Sequence, residues 1–459
     1  MERPSGHDAG MTPASLAAVP VTSRRSFLKQ AVAAAALPAV VLRGAPGPNE
    51  KIGVGVMGVG GRGSFLASAF AKRPDTRVLW VCDADARRLG PAAKAVEAAQ
   101  QARPKEAQDF RRMLEDPAVD VVVNATPDHW HVMGSILAFQ AGKDVYVEKP
   151  MSHNAWEGRK MVEAAARYKR VAQVGMQSRS SLYIQKALEI VRSGRLGEVP
   201  AVRVYNIMQH GLSKPSNEPA PKEVDMDLWC GPARLETTHP GYRWLNLYEY
   251  SCGPIPGDAI HQLDLARMLM GDPPAPRSVL ASGRIAVLKD GRDTPDTQSA
   301  IFEYEQFTLH FEAALWTPYM KKTPMDKRDK DLVPNWPFNS TRIELLGTRG
   351  FMYVGRHGDG WQLYTAEGDL AETMTGRQGD ALHIENFLDC VRSRRQPRAS
   401  AEQGHASALL CHLANIACRV GNRKLVFDAR TETFPGDAEA NRFLKREQYR
   451  VPWVIPGAS

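Results

Sequence analysis

The run Lys51-Ile52-Gly53-Val54-Gly55-Val56-Met57 passes directly into Gly58-Val59-Gly60-Gly61-Arg62-Gly63, and then into the helix-forming stretch Ser64 to Lys72. Strand, Gly-x-Gly-x-x-Gly and helix in that order leave few folds open. The first glycine permits a tight turn, and the second lets backbone approach a pyrophosphate. The third lets the helix pack against the strand, with its N–H groups and dipole facing the phosphates. A second strand, Arg77 to Cys82, ends in Asp83, twenty positions beyond Gly63. A carboxylate about 20 residues on is where this turn needs an acceptor for the adenosine ribose hydroxyls. It favours NAD, because a 2′-phosphate would meet a carboxylate, while Arg87 and Arg88 nearby keep NADP as the alternative cofactor.

The pattern continues as alternating helix and strand. A helical stretch from Ala86 to Ala102 precedes the apolar strand Val119 to Ala125, which opens into Thr126-Pro127-Asp128-His129-Trp130-His131. Another strand, Asp144 to Val147, delivers Glu148-Lys149-Pro150. Such alternation predicts a doubly wound parallel sheet of the Rossmann type, with ligands at the carboxyl ends of its strands, where all these polar clusters fall.

After Gly197 the pattern changes. Strand-like runs recur at 199–207, 278–287, 297–304, 307–315, 341–346, 351–354 and 361–364, and read as an antiparallel meander with one face on a core. Before them lie a helix from Ala155 to Tyr168 and a short strand from Val171 to Val174. The fold class expected is therefore α/β: a Rossmann domain over 50–172, then an α+β domain over 173–459 with an open-faced, mainly antiparallel sheet. Helices expected at 380–394 and 402–420 close the chain.

In the second half, Gly257-Asp258-Ala259-Ile260-His261-Gln262-Leu263-Asp264 precedes an expected helix from Leu265 to Met270. A neutral imidazole takes a hydroxyl proton near working pH, so His261 is a candidate acid/base group, with Asp258 placed to orient or polarise it. Tyr242, Trp244, Tyr248 and Tyr250 cluster just before this element and suit either a carbohydrate ring or core packing. The stretch 317–337, rich in Lys, Asp and Pro, reads as a long loop, and loops of that length serve binding sites or subunit arms.

These features together resemble the Gfo/Idh/MocA oxidoreductases. Gly58 to Gly63, Asp83, Ala125-Thr126-Pro127 with His131, and Glu148-Lys149-Pro150 stand in that family's order, over most of the chain after Glu50. The resemblance implies NAD(P)-dependent oxidation of a secondary hydroxyl of a sugar, sugar derivative or cyclitol. It assigns Lys149 to the nicotinamide and the substrate hydroxyl, with Glu148 orienting it, and makes Lys149, His261 and Asp258 the catalytic set. Cofactor contacts fall to Gly58, Gly60, Gly61, Arg62, Gly63, Asp83, Thr126, Pro127, His131, Glu148, Lys149 and Gln177. Substrate contacts fall to Lys149, Arg179, Tyr242, Trp244, Asp258 and His261. Many members carry Asp-x-x-x-His, whereas here Gly257 stands four before His261 and Asp258 three before. The resemblance also implies a homo-oligomer and terminal helices folded back on the first domain.

The start of the chain carries an address. Ser23-Arg24-Arg25-Ser26-Phe27-Leu28-Lys29, the apolar stretch Ala31 to Val41 and the small residues near Ala45 read as a twin-arginine (Tat) export signal over 1–45. The apolar run is well short of the ~20 residues that span a bilayer, so no stable membrane span is expected. The protein is then expected outside the cytoplasm, in the periplasm or beyond, with the Tat machinery as a partner. That route carries folded proteins and suits an enzyme that captures its dinucleotide before leaving. Because free NAD is scarce there, a tightly held, recycled cofactor is expected, and with it an alternative outcome: glycosidase or lyase chemistry by transient oxidation and elimination. A non-catalytic dinucleotide- or sugar-binding protein is the third reading. The net charge of +8 is spread without a long basic run, which argues against a nucleic-acid partner. The six cysteines form no Cys-x-x-Cys pair, and the histidines and acids show no zinc-type spacing, so no metal is expected.

Overall fold

The computed structural model describes residues 50–210, 218–328, 330–332 and 335–456, apart from the side chains of Tyr242 and Met325. The twin-arginine segment lies outside the described residues.

Six parallel strands build the first sheet: β1 (Ile52–Met57), β2 (Thr76–Cys82), β3 (Lys105–Ala107), β4 (Val121–Asn124), β5 (Asp144–Val147) and β6 (Ala172–Val174), in the order 3-2-1-4-5-6. Every residue of β1, β4 and β5 is buried, as both faces of a parallel sheet must be when helices cover them. The order reverses between β1 and β4, and the crevice at that switch point opens beside the glycine turn. The boundary expected at 172 falls inside β6, so the sheet continues to Val174.

The covering helices are α1 (Gly61–Ala71), α2 (Leu89–Gln100), α3 (Asp128–Gln140) and α4 (Ala155–Arg167). Asn154 caps α4 by accepting from Glu157 N at 2.9 Å. The second domain begins with α5 (Leu182–Arg192), and its central helix is α6 (Pro254–Leu269). The sequence expectation placed only 265–270 in a helix, because Pro254, Pro256 and Gly257 look like a turn. Both prolines fall in the first helical turn, where no intrahelical donor is needed, so the helix begins eleven residues earlier. His261 and Asp258 therefore stand on a rigid helix.

The second sheet has nine strands: β7 (Ala201–Ile207), β8 (Ser278–Arg284), β9 (Thr297–Glu303), β10 (Thr308–Ala314), β11 (Thr341–Gly347), β12 (Gly350–Gly355), β13 (Trp361–Thr365), β14 (Leu370–Met374) and β15 (Leu425–Val426). Their order is 14-13-12-11-7-10-9-8-15. It is mainly antiparallel and not a simple meander, because β7 inserts between β11 and β10 and runs parallel to β10. Burial alternates along β7, β9 and β10, so one face carries the core and the other stays open.

Helices α7 (Asp380–Ser393) and α8 (Ala401–Arg419) follow. Ile384, Phe387, Leu388 and Val391 of α7 join the core formed by Val54, Val56 and Leu66 beneath the first sheet. Leu409, Leu413 and Ile416 of α8 join the core of the second domain. All six cysteines are free thiols. No helix among the described residues is long and apolar enough to cross a membrane.

Candidate active site

A cleft enclosing about 460 Å3 runs between the two sheets, along the carboxyl ends of β1, β2, β4 and β5. One end is made mostly of backbone. Gly58 adopts a positive φ of 82°, and a Cβ there would lie 2.8 Å from Ala125 and Thr126 backbone. At Gly63 a Cβ would lie 1.8 Å from Gly58 O, so this glycine sets the contact between helix and turn and does not line the cleft. A Cβ at Gly61 would meet nothing within 4 Å, and no side chain caps the start of α1. The turn is thus an open cradle with helix N–H groups beside it, the geometry a pyrophosphate requires.

Asp83 lies at the same end, its carboxylate accepting from Val59 N and Asp85 N, both at 2.9 Å. Burial raises its pKa above the usual carboxylate value, against those two hydrogen bonds. Arg88 rests against Gly60 and pairs with Asp85 at 3.5 Å. A dinucleotide therefore fits this end, with Asp83 placed for ribose hydroxyls and the turn for phosphates.

The middle of the cleft holds the remaining expected cofactor residues. Thr126 and Pro127 line it, with Thr126 Oγ1 donating to Asn124 Oδ1 at 2.7 Å. The His131 ring nitrogens lie 2.8 Å from Thr126 O and 2.6 Å from Pro150 O, tying the turn after β4 to the turn after β5. Glu148 accepts from Arg62 Nε at 2.8 Å and from Lys149 N at 3.2 Å, so it holds the lysine through its backbone. Arg62 also reaches Asp380 on α7 at 2.9 Å. With its amide nitrogen 3.0 Å from Gly175 O, the Gln177 side-chain oxygen accepts from Arg62 as well.

The far end brings Lys149 and His261 into one cavity. Lys149 Nζ donates to Gly257 O in the first turn of α6 at 2.6 Å, and both residues line the cleft with His261. A Cβ at Gly257 would meet nothing within 4 Å, so that turn leaves open space. Burial, reinforced by Arg356 and Lys149, drives the His261 pKa well below 6.5, which keeps its imidazole neutral. Its buried Nδ1 has no hydrogen-bond partner among the described residues.

Two expectations need correction. Asp258 makes no hydrogen bond to His261 or Lys149. Its Oδ1 instead takes Lys322 Nζ at 2.5 Å and an Arg356 guanidinium nitrogen at 3.0 Å, because full cations hold a carboxylate more strongly than a neutral ring does. Burial alone would raise its pKa, but Lys322 and Arg356 hold it well below the carboxylate range. Arg179 does not line the cleft. Its side chain is 3% exposed and pairs with Asp264 at 2.8 Å and Asp272 at 2.7 Å, a buried cluster beneath α6.

The aromatic cluster divides. Trp244 lines the cleft. Tyr250 packs against Trp229 at 4.8 Å between ring centroids, and Tyr248 lies under Arg419. The side chain of Tyr242 lies outside the described residues.

Other groups at the site carry no short-range sequence signal. Asp128 lies buried against the cleft, accepts from Ser251 Oγ at 2.7 Å, and has its pKa raised by burial. Arg328 and Arg356 line the far end, and Lys322 stands behind them against Asp258. The length of the 317–337 loop points to a role in binding or assembly, but nothing local sets Lys322 or Arg328 apart from its other cations. Only Arg356's place among glycines, Gly355-Arg356-His357-Gly358, hints at a turn that projects a side chain.

Comparison with known proteins gives three family models along the chain. Residues 52–176 match the Gfo/Idh/MocA oxidoreductase family, NAD-binding Rossmann fold. Residues 184–353 match a Gfo/Idh/MocA C-terminal domain, and 352–455 match that oxidoreductase family's C-terminal alpha/beta domain. A glycosyl hydrolase family 109 protein from Saccharopolyspora erythraea is 30% identical over 158 residues, covering 33% of this chain and 34% of that protein. Myo-inositol 2-dehydrogenase from Thermotoga maritima is 23% identical over 368 residues, covering 79% of this chain and 94% of that one. Among solved structures, the WlbA dehydrogenase from Bordetella pertussis, in complex with NADH and UDP-GlcNAcA, superposes with a TM-score of 0.60 at 22% identity. That match covers 83% of this chain and 99% of the other.

Proposed function

The chain belongs to the Gfo/Idh/MocA oxidoreductase family, with an NAD-binding Rossmann domain, and we propose that it oxidises, reversibly, a secondary hydroxyl of a sugar, sugar derivative or cyclitol. The observation that carries this reading is the meeting of Lys149 and His261 in one cavity, at the far end of a cleft whose other end is an open glycine turn. NAD, when bound, supplies the hydride acceptor.

The chain's own residues supply placement and proton handling. Gly61 leaves room for phosphates beside the tight turn that Gly58 permits, and Asp83 accepts from ribose hydroxyls. Lys149, held by Gly257 O, and the neutral His261 are the two groups positioned to hold the substrate hydroxyl and receive its proton. Glu148 and His131 fix the turns that present Lys149. The test is reduction of NAD, followed at 340 nm, across a panel of sugars, sugar acids and cyclitols. Absence of both NADH binding and reduction would remove the reading.

A second reading has its own support, the glycosyl hydrolase family 109 relative. In it, transient oxidation of a ring hydroxyl is followed by elimination of the aglycone, addition of water to the resulting double bond and re-reduction of the carbonyl, with no net change in cofactor. Cleavage of an aryl glycoside that requires NAD but accumulates no NADH distinguishes it. The twin arginines support a further proposal, that the chain is exported folded by the Tat route with its dinucleotide tightly held. Cell fractionation of the full chain and of its Arg24→Lys/Arg25→Lys variant tests this, and mass spectrometry of the natively purified protein tests the retained cofactor.

A further inference from the structure

The far end of the cleft is unusually positive for an enclosed space. Three segments distant in the chain meet there: the first two turns of α6, the loop between β10 and β11, and the turn after β12. They and the strand end at β5 bring together Lys149, Lys322, Arg328 and Arg356. Against these four cations, Asp258 is the carboxylate among the described residues that pairs with two of them, and it places Lys322 and Arg356 on the same oxygen.

The other carboxylates near this wall have partners of their own. Glu148 and Asp380 both pair with Arg62. Asp359 accepts from Thr323 and Asn339, and burial raises its pKa. Arg328 forms no ion pair among the described residues; its Nε donates to Thr323 O at 2.8 Å, and its side chain lines the cleft. Arg356 is only 9% exposed and directs one nitrogen to Asp258.

Keeping these cations close together and partly shielded from water, with Asp258 shared by two of them, is costly unless something supplies further negative charge. A ligand that enters the cleft can do so. Guanidinium groups match the planar, two-oxygen geometry of a carboxylate or the tetrahedral edge of a phosphate. Gly257, whose carbonyl holds Lys149 and whose Cα faces open space, lines the same cleft as Arg328 and Arg356, so a group bound by the arginines would hold a neighbouring ring hydroxyl toward the lysine.

We propose that the substrate is an acidic sugar derivative whose oxyanion, a carboxylate or a phosphate, docks between Arg356 and Arg328 with Lys322 beside them, so that neutral sugars and cyclitols are poor substitutes. This rests on the oxidoreductase reading of the same cleft. It goes further by making charge, and not ring shape alone, the main determinant of specificity.

The test uses the full chain loaded with NADH, whose binding is first confirmed by its fluorescence. D-Glucuronate and D-galacturonate are titrated against D-glucose and D-galactose, and glucose 6-phosphate forms a separate arm that tells phosphate from carboxylate. The expected result is binding of acids about ten- to a hundredfold tighter than of their neutral counterparts. KM follows the same preference wherever NAD is reduced. Arg328→Gln, at a half-buried position without an ion pair, should remove most of that preference while NADH affinity and Tm hold. Arg356→Lys should keep the charge but lose the fork, with an intermediate preference. Neutral sugars binding the NADH-loaded chain as tightly as acids, or no acid binding it, would overturn the proposal and leave the oxidoreductase reading standing. Failure of NADH itself to bind would remove both.

Discussion

The two ends of the cleft are built from different materials. At the nucleotide end, selectivity lies in backbone: a glycine turn, an uncapped helix start and one acid at the end of β2, all within some thirty residues of sequence. At the substrate end it lies in charged side chains from segments far apart, with Lys322 lying 64 residues and Arg356 lying 98 residues from the Asp258 they share. The first arrangement cannot vary without losing the turn, because a Cβ at Gly58 or Gly63 has nowhere to go. The second can vary one loop at a time. One half thus reports the cofactor, and the other is free to set the substrate.

Perturbations of each end should separate cleanly. The largest effect is expected from Lys149→Met. Loss of a group that handles the substrate proton should lower kcat by about 10²- to 10⁴-fold while NADH still binds, read by steady-state kinetics beside NADH fluorescence. If NADH binding is lost instead, the two ends are not independent.

Next comes Arg179→Ala. Because Arg179 lies in a buried cluster with Asp264 and Asp272 and not in the cleft, its removal should cost about 3–5 kcal/mol of stability. Denaturant unfolding reads this, and KM of the surviving folded enzyme should not change. A KM change without loss of stability would restore the substrate contact that the sequence suggested.

Gly63→Ala should act on the fold of the nucleotide end. The added Cβ meets Gly58 O, and overpacking of this kind costs about 1–3 kcal/mol. Gly61→Ala, whose Cβ meets nothing, should keep Tm and weaken only NADH binding, because it intrudes on the cradle alone. Equal Tm for the two variants would contradict the assigned geometry.

The smallest effect per step is in pH. Burial drives His129 to about 3 and His383 to about 4, and drives His261 and His357 well below 6.5. These rings are neutral when folded and take up protons near 6.5 when unfolded. Stability is therefore fully present above about pH 6.5 and falls as pH drops below it. Urea midpoints between pH 7 and 5 check the direction, and a midpoint that rises on acidification would contradict it.

The same contrast explains what could be read from the sequence. Gly58 to Gly63, Asp83 and Glu148-Lys149-Pro150 were legible because the chemistry demands short, ordered spacings at strand ends. The alternating strands of the second domain were legible as strands, but their order was not: the central parallel pair of β7 and β10 depends on contacts between residues over a hundred positions apart. The start of α6 was misread because prolines signal turns except in a first helical turn, and a sequence does not say which applies. Asp258 was expected beside His261 from spacing alone. Its true partners came from a loop and a strand end, and no local pattern announces that convergence. Arg328, Arg356 and Lys322 were invisible for the same reason.

The central claim is that one cleft holds a dinucleotide at its glycine turn and a hydroxyl at Lys149 and His261. A crystal structure of the full chain with NADH and a bound sugar acid tests it most directly. The account predicts the pyrophosphate against Gly60 and Gly61. It also predicts the nicotinamide ring stacked so that its reactive carbon lies about 3–3.5 Å from a substrate carbon, whose hydroxyl is within hydrogen-bonding distance of Lys149 or His261. A dinucleotide bound elsewhere, or reversed so that its adenine lies against Lys149, would contradict it.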